Sequence, residues 1–254
     1  QVRSTAVKFF MDGVVESYTA LLLDPYADKP DDCGKAIFEA EHFTHMVAEC
    51  DRLGFQVITH AIGDAAIRRT LDGYAAALQK NGRRDSRHRV EHVELLHPAD
   101  LPRFRELGVM ASMQPVHETV SEPGQLWAKN VGAARWGWGF PWQSLRNAGV
   151  HLVFGSDWPV VTQNPYLGMH AALARTPWLP HLPIQTQNLH DTLAAYTRDG
   201  AYAEFQEGNK GQLRRGMLAD LVLLDRDMTT TPLPEVKTIK ARLTVCDGRI
   251  VYAA

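Results

Sequence analysis

The stretch FQVITHAIGDAAIRRTLDGYAAALQKNG, residues 55–82, joins a short apolar segment to a longer helix-forming one. Residues 55–61 are rich in β-branched side chains, which is typical of a buried strand. Residues 63–82 predict a helix that ends at Asn81-Gly82, a common helix stop. A strand that passes directly into a helix is the repeating unit of an α/β protein. The stretch therefore predicts a parallel sheet covered by helices.

The same alternation continues on both sides of this stretch. Residues 36–53 contain no Gly or Pro and have helical periodicity, and residues 98–108 begin with proline and end with glycine, as helices do. Five apolar runs are predicted to be strands: 6–12, 55–61, 88–94, 109–115 and 151–157. Near-continuous apolar runs are typical of parallel strands that are buried on both faces.

The last part of the chain has a different pattern. Residues 189–205 predict a helix, and residues 211–227 predict a turn and a strand. Residues 241–253 predict a hairpin that turns at Asp247-Gly248. Antiparallel strands after a series of strand–helix units indicate a small β appendage.

Composition excludes several classes of protein. Lys and Arg total 27 against 29 Asp and Glu, and this near-balance argues against a nucleic-acid or anionic-membrane partner. Cys33, Cys50 and Cys246 have no CxxC spacing, which argues against a disulfide framework. No apolar run approaches the roughly 20 residues that span a bilayer, and no signal peptide is visible. We expect a soluble, cytoplasmic protein.

Four polar side chains lie within or at the end of predicted strands: Lys8, His60, His92 and Asp157. A lone histidine is usually a structural residue, but each of these four groups interrupts a separate apolar run. The carboxyl ends of parallel strands share one edge, where such folds hold their chemistry. Imidazole and carboxylate are suitable zinc ligands, so the pattern indicates a metal site.

Lys8 is the exception in this set, because an ammonium group repels a metal ion. We expect Lys8 to lie in a buried strand, where an unpaired lysine is costly. Its neutral amine could add CO₂ to form a carbamate. That anionic group would be able to bridge two cations.

Several motifs together resemble the amidohydrolase superfamily, in the branch that includes the N-substituted formamide deformylases. They are VKFFMDG (7–13), THAIGD (59–64), RVEHVE (89–94), SMQP (112–115), GSDWPV (155–160) and GQLRRGMLADLVLLD (211–225). The resemblance covers nearly the whole chain. It implies that residues 1–208 form about strands four to eight of a (β/α)₈ TIM-type barrel, and that residues 209–254 supply C-terminal strands of a small β-sandwich.

The resemblance also implies a site and a reaction. Lys8 would be a carbamylated lysine, His60 and His92 would bind metal, and Asp157 would bind metal and move protons. One or two divalent cations, most simply zinc with iron and manganese as alternatives, would polarise a carbonyl and lower the pKa of water toward about 7. Asp157 would take a proton from that water and return it to the leaving nitrogen. The substrate would be a small-molecule amide, cleaved at a non-peptide carbon–nitrogen bond.

One part of the family pattern is absent. The family carries an HxH pair on barrel strand one, and this sequence contains no HxH and no candidates for strands one to three. We therefore expect that those residues preceded Gln1 and that the chain is inactive by itself. Exposed strand edges would then favour association between copies of the chain.

Further residues have both a functional and a structural interpretation. Gln114, His117 and Trp158 are candidate substrate-binding residues, although a role in positioning loops is as reasonable for the first two. Asp64 is expected to be a helix N-cap, and Glu91, by strand alternation opposite to His92, is expected to face a helix. Three tryptophans fit either a substrate wall or ordinary packing: Trp136, Trp138 and Trp142.

Two other functions remain open. A hydrolytic deaminase of the same superfamily is disfavoured, because deaminases of this type keep a Glu after the strand-five histidine and here AIGDAAIRR follows His60. A non-catalytic scaffold or interaction fragment would keep the fold without a working site. Metal binding distinguishes that possibility from an enzyme.

Overall fold

The computed structural model describes residues 5–254, which form two compact units. The first unit comprises residues up to Met113, Val120–Leu152 and Pro177–Gln185. The second comprises Gln114–Thr119, Val153–Thr176 and Thr186–Ala254. The expected domain boundary between residues 208 and 209 stays a prediction.

Five strands form one sheet in the order β1-β2-β3-β4-β5. β1 pairs with β2, β2 with β3 and β3 with β4, in each case in parallel. The strands are β1 Ala6–Phe10, β2 Gln56–Ala61, β3 Arg89–His92, β4 Met110–Met113 and β5 Leu152–Phe154. The expected α/β class with a parallel sheet is confirmed. Each strand is shorter than its apolar run: β2 loses only the first residue of the run, and the other four strands end before the last residues of theirs.

Helices follow the strands along the chain. They are α1 Ala40–Arg52, α2 Asp64–Asn81, α3 Leu101–Leu107, α4 Pro115–Glu118, α5 Leu126–Val131, α6 Trp142–Asn147, α7 Pro165–Ala174, α8 Leu189–Tyr196 and α9 Arg198–Ala203. The part of the chain that the structure describes also has 3₁₀ segments at Pro98–Asp100, Ala133–Trp138 and Leu233–Thr238. Within residues 5–254, no helix has the length and apolar character needed to cross a bilayer.

Several helices differ from the sequence expectation. α1 begins at Ala40 rather than near residue 36, because Ile37 N donates to Met11 O (2.8 Å) and Glu39 keeps an extended backbone (φ −63°, ψ 144°). The predicted helix 189–205 is divided at Thr197, whose φ of −128° and ψ of −84° separate α8 from α9. α4, α5 and α7 were not predicted from the sequence.

The second unit contains a separate three-stranded antiparallel sheet in the order β6-β7-β8. Its strands are β6 Leu221–Leu224, β7 Ala241–Cys246 and β8 Arg249–Ala253. Asp247 (φ 49°) and Gly248 (φ 74°) form the predicted hairpin turn with the positive φ angles that such a turn requires. Buried Met169, Met228, Val236 and Ile239 form a hydrophobic cluster in this unit.

The hydroxyl of Tyr74 shows which face of β2 is covered by α2. It lies 2.8 Å from Thr59 Oγ1 and 2.9 Å from the backbone oxygen of Arg89. Thr59 therefore faces the helix. Because successive side chains of a strand point to opposite faces, His60 faces away from α2.

The first unit also requires a glycine where α1 and α2 cross. A Cβ atom at Gly73 would lie 2.7 Å from Cε1 of Phe43, a ring that is fully buried in α1. The absence of a side chain at Gly73 therefore allows the two helices to approach closely.

We expect Gly73→Ala to lower the free energy of unfolding by about 1–3 kcal/mol, because overpacking of the Phe43 ring outweighs the gain in helix propensity of about 1 kcal/mol. Gly200→Ala, in α9, is the matched control, because a Cβ atom there meets nothing within 4 Å. That variant should be neutral or stabilised. Urea unfolding measures both variants, and a stabilised Gly73→Ala would contradict the expectation.

His88 is a buried imidazole just before β3. Its Nδ1 accepts from Val57 N (3.0 Å), and its Nε2 donates to Asp51 Oδ1 (3.1 Å). Burial lowers the pKa of His88 to about 4; the Asp51 charge opposes this shift and the Arg84 charge adds to it. Since burial dominates, the ring is neutral near pH 7 and its contact with Asp51 is a hydrogen bond of neutral imidazole.

Because of this lowered pKa, the free energy of unfolding depends on pH in the acidic range. His88 titrates near 6.5 when the chain is unfolded, so protonation favours the unfolded state as the pH falls from 6.5 to about 4. We expect this residue to remove roughly 3 kcal/mol from the free energy of unfolding over that interval. His88→Gln should remove this part of the pH dependence. Urea unfolding across the interval measures it, and equal pH slopes for the two proteins would contradict the assignment.

Candidate metal centre

His60 and His92 lie side by side at the carboxyl ends of β2 and β3. Both are buried, and their ring centroids are 4.4 Å apart with the rings edge to face. In the β2–β3 register His60 pairs with Glu91, whereas His92 pairs with Ala61. Regular alternation would place the two histidines on opposite faces of the sheet. His92 (φ 77°) and the following Val93 (φ 50°) leave the extended conformation, which allows the two rings to meet.

The ring of His60 is held by the residues that follow β1. Its Nε2 lies 2.9 Å from the backbone oxygen of Gly13. The same nitrogen lies 3.6 Å from Oδ1 of Asp12. The sequence pattern identified His60 correctly as a residue at a strand end, but it did not reveal these neighbours.

Asp12 is a buried carboxylate beside this histidine. Burial raises the pKa of Asp12 to about 7, and the nearby Glu94 charge adds to the shift. Hydrogen bonds from the backbone N–H groups of Gly63, Ile62 and Leu21 act in the opposite direction. From the sequence, Asp12-Gly13 is predicted to form a tight turn after the strand that holds Lys8, and the resemblance to the family favours a role in shaping the site. A charged residue that ends an apolar strand was the signal.

Glu94 is a second buried carboxylate that the sequence analysis did not single out. One of its oxygens lies within 4.8 Å of a ring nitrogen of His92. Its Oε2 accepts a hydrogen bond from the indole Nε1 of Trp127 (3.0 Å). The spacing His92-x-Glu94, with two donor groups just after a strand, could have indicated it.

Glu91 lies on the same face of the sheet as His60, with which it pairs in the register. The expectation that Glu91 faces a helix is wrong, because α2 covers the opposite face through Tyr74 and Thr59. Its Oε1 accepts from Nε of Arg89 at 2.6 Å. The carboxylate is therefore neutralised by its own strand.

Lys8 is exposed, so the expectation of a buried lysine is wrong. β1 is the first strand in the order of the five-stranded sheet, and in the described residues it pairs only with β2. Lys8 pairs with Ile58, and Phe10 pairs with His60, so Lys8 lies on the same face of the sheet as His60. Its Nζ lies 5.3 Å from the centroid of the Phe10 ring.

The other predicted site residues belong to the second unit. Asp157 is exposed and has a φ of 59°, three residues beyond the end of β5. Trp158 is 65 % exposed. Gln114 is buried immediately before α4, and His117 is partly buried within α4. The roles of these four residues stay predictions.

The three tryptophans between residues 133 and 142 pack against other groups of the first unit. Trp142 is fully buried. The rings of Trp136 and Trp178 are edge to face with their centroids 5.9 Å apart, and Nε1 of Trp136 donates to Ala128 O (2.8 Å). The rings of Trp138 and His97 are also edge to face, with their centroids 4.9 Å apart. These contacts favour the packing interpretation over a substrate wall.

Asp64 is the first residue of α2, whose N-cap is Gly63, so the expected N-cap role is off by one position. Its Oδ1 accepts from Leu23 N (2.8 Å) and from its own helix at Ala65 N (3.0 Å). Asp64 thus ties the loop after β1 to the start of α2. Burial raises its pKa.

We expect Glu94→Ala to lower the free energy of unfolding by about 1–3 kcal/mol, because it leaves the buried indole N–H of Trp127 without its acceptor. Glu94→Gln keeps a carbonyl oxygen at that place, so its free energy of unfolding should fall by distinctly less. Denaturant unfolding followed by tryptophan fluorescence compares the two. Equal losses would show that the Trp127 hydrogen bond does not account for the effect.

Comparison with known proteins matches residues 1–252 to the model of a protein family described as the amidohydrolase family. The chain is 36% identical over 225 residues to Protein LONG AFTER FAR-RED 3 of Arabidopsis thaliana, covering 86% of this chain and 38% of that protein. It is 26% identical over 270 residues to N-substituted formamide deformylase of Arthrobacter pascens, covering 99% of this chain and 46% of that protein. The chain thus spans less than half the length of these relatives.

Solved structures give a consistent result. An uncharacterized metal-dependent hydrolase from Pyrococcus horikoshii superposes with a TM-score of 0.77 at 28% identity, over 90% of this chain and 46% of that one. An uncharacterized metal-dependent hydrolase from Pyrococcus furiosus superposes with a TM-score of 0.71 at 29% sequence identity, over 83% of this chain and 42% of that one.

Proposed function

The chain belongs to the amidohydrolase family, and from this premise we propose that it is part of a metal-dependent hydrolase of amide- or formamide-type carbon–nitrogen bonds. The observation that carries the proposal is the pair of buried imidazoles, His60 and His92, whose rings are 4.4 Å apart. Buried histidines that meet at the ends of neighbouring parallel strands are suited to hold a cation.

The donor groups of the first unit fit a divalent metal ion. His60 is hydrogen-bonded through one ring nitrogen to the Gly13 carbonyl, the arrangement that orients metal-binding histidines in general. Glu94 adds a buried carboxylate within 4.8 Å of the His92 ring. A mixed nitrogen and oxygen set suits zinc and also iron or manganese. When bound, such an ion supplies Lewis acidity toward a carbonyl and toward water.

In this proposal the chain's own residues hold the metal ion and move protons. His60 and His92 would bind the metal ion. Lys8, on the same face as His60, would contribute as a carbamate, formed when its neutral amine adds CO₂ and releases a proton. Asp157 takes a proton from the attacking water and gives it to the leaving nitrogen, so the products are an acid and an amine.

The substrate class rests on similarity to relatives. N-substituted formamide deformylase is 26% identical to this chain, over 99% of this chain and 46% of the deformylase. We therefore propose a small N-substituted formamide or related amide as the substrate, with Gln114, His117 and Trp158 as candidate contacts. Release of the amine from such compounds, compared with release of ammonia from aminated rings, separates this activity from a deaminase.

Metal analysis tests the proposal. Zinc titration of the purified chain, followed by dialysis and elemental analysis, should give about one or two ions per chain. His60→Ala and His92→Ala should each remove most of this zinc. His190→Ala is the control for loss of an imidazole, because the His190 side chain is 82% exposed. A wild-type chain that retains no zinc under replete conditions would favour the non-catalytic scaffold.

A further inference from the structure

Asp12 lies where β1, β2 and α2 meet. β1 ends two residues earlier, and Met11 N continues the pairing by donating to His60 O (2.9 Å). The Asp12 side chain is buried, with 1% of the residue exposed. It therefore lies inside the first unit at the carboxyl end of the sheet.

Three backbone N–H groups donate to this carboxylate. Ile62 N donates to Oδ1 (3.0 Å), and Gly63 N and Leu21 N donate to Oδ2 (both 2.9 Å). Ile62 and Gly63 follow β2 directly, and Leu21 lies in the loop after β1. One side chain thus fixes both segments that border His60.

The close approach of these segments depends on Gly63. A Cβ atom there would lie 2.0 Å from the backbone oxygen of Leu21. Ala66 N, in the first turn of α2, also donates to that oxygen (3.2 Å). The loop after β1, which includes Gly13, therefore packs directly against the start of α2.

Gly13 determines the tautomer of His60. A backbone carbonyl only accepts hydrogen bonds, so the 2.9 Å contact between Gly13 O and Nε2 requires the proton on Nε2. In the neutral ring, Nδ1 then keeps the lone pair that can bind a metal ion. The Asp12 carboxylate, 3.6 Å from Nε2, favours the same proton position electrostatically.

We propose that Asp12 is a positioning residue: by holding the loops after β1 and β2 and by facing Nε2 of His60, it presents Nδ1 of His60 as the metal-binding atom. This inference rests on the proposed function. It adds a residue that contacts neither substrate nor metal in the proposed site and acts through His60.

Asp64 provides a matched control. It is also a buried aspartate that ties the loop after β1 to the start of α2, through Leu23 N and Ala65 N. If Asp12 served only to hold the loop, Asp12→Asn and Asp64→Asn would have similar effects on the site. If Asp12 positions His60, only Asp12→Asn should change the imidazole.

Two measurements on the 254-residue chain decide between these roles. In the metal-free protein, ¹H–¹⁵N correlation spectra of the histidine rings should show His60 with the proton on Nε2 in the wild type and in Asp64→Asn, and a tautomer mixture in Asp12→Asn. In zinc titrations, Asp12→Asn should bind about 10- to 100-fold more weakly than the wild type. Asp64→Asn should bind as the wild type does.

The inference is overturned if wild-type His60 carries its proton on Nδ1, or if Asp12→Asn matches Asp64→Asn in both tautomer and zinc affinity. Should Asp12→Asn fail to fold, Asp12→Ser, which also removes the carboxylate, takes its place, and unchanged tautomer and affinity in that variant would count against the inference. A wild-type chain that binds no zinc overturns the proposed function alone. The tautomer of His60 then decides the role of Asp12.

Discussion

Three backbone N–H groups, from Leu21, Ile62 and Gly63, converge on the carboxylate of Asp12. A buried carboxylate has lost its hydration, and only donors at fixed positions can offset that cost. The segments that supply the donors are therefore not free to move independently of β1. Through Gly13 they fix the ring of His60, and the candidate metal centre of the first unit depends on this arrangement.

The sheet and most helices could be predicted because they reflect local signals. Apolar runs marked the five strands, and Asp247-Gly248 marked the hairpin. The errors arose where distant residues decide the local conformation. The hydrogen bond from Ile37 to Met11 holds the residues before α1 outside the helix, and it joins positions 26 residues apart that no periodicity connects. Likewise, the break at Thr197 lies in a segment whose composition favours one continuous helix.

The candidate site was predictable in part for the same reason. His60 and His92 each interrupt an apolar run, and the structure brings their rings together. The contact between the two rings depends on the positive φ angles at His92 and Val93, which the preferences of these residue types do not predict. Lys8 followed the same rule but is exposed, because burial depends on the neighbours of a strand and not on the strand itself. Glu94 was missed because its partner, Trp127, is 33 residues away.

The contacts of Asp12 also imply an order of events during folding. Leu21 is nine residues from Asp12, whereas Ile62 and Gly63 are 50 and 51 residues away. Closing the short loop costs less chain entropy than bringing the distant segment into place. The contact with Leu21 can therefore form early, while the other two donors arrive only when β2 docks on β1. The arrangement around His60 is therefore complete only once β2 has docked on β1.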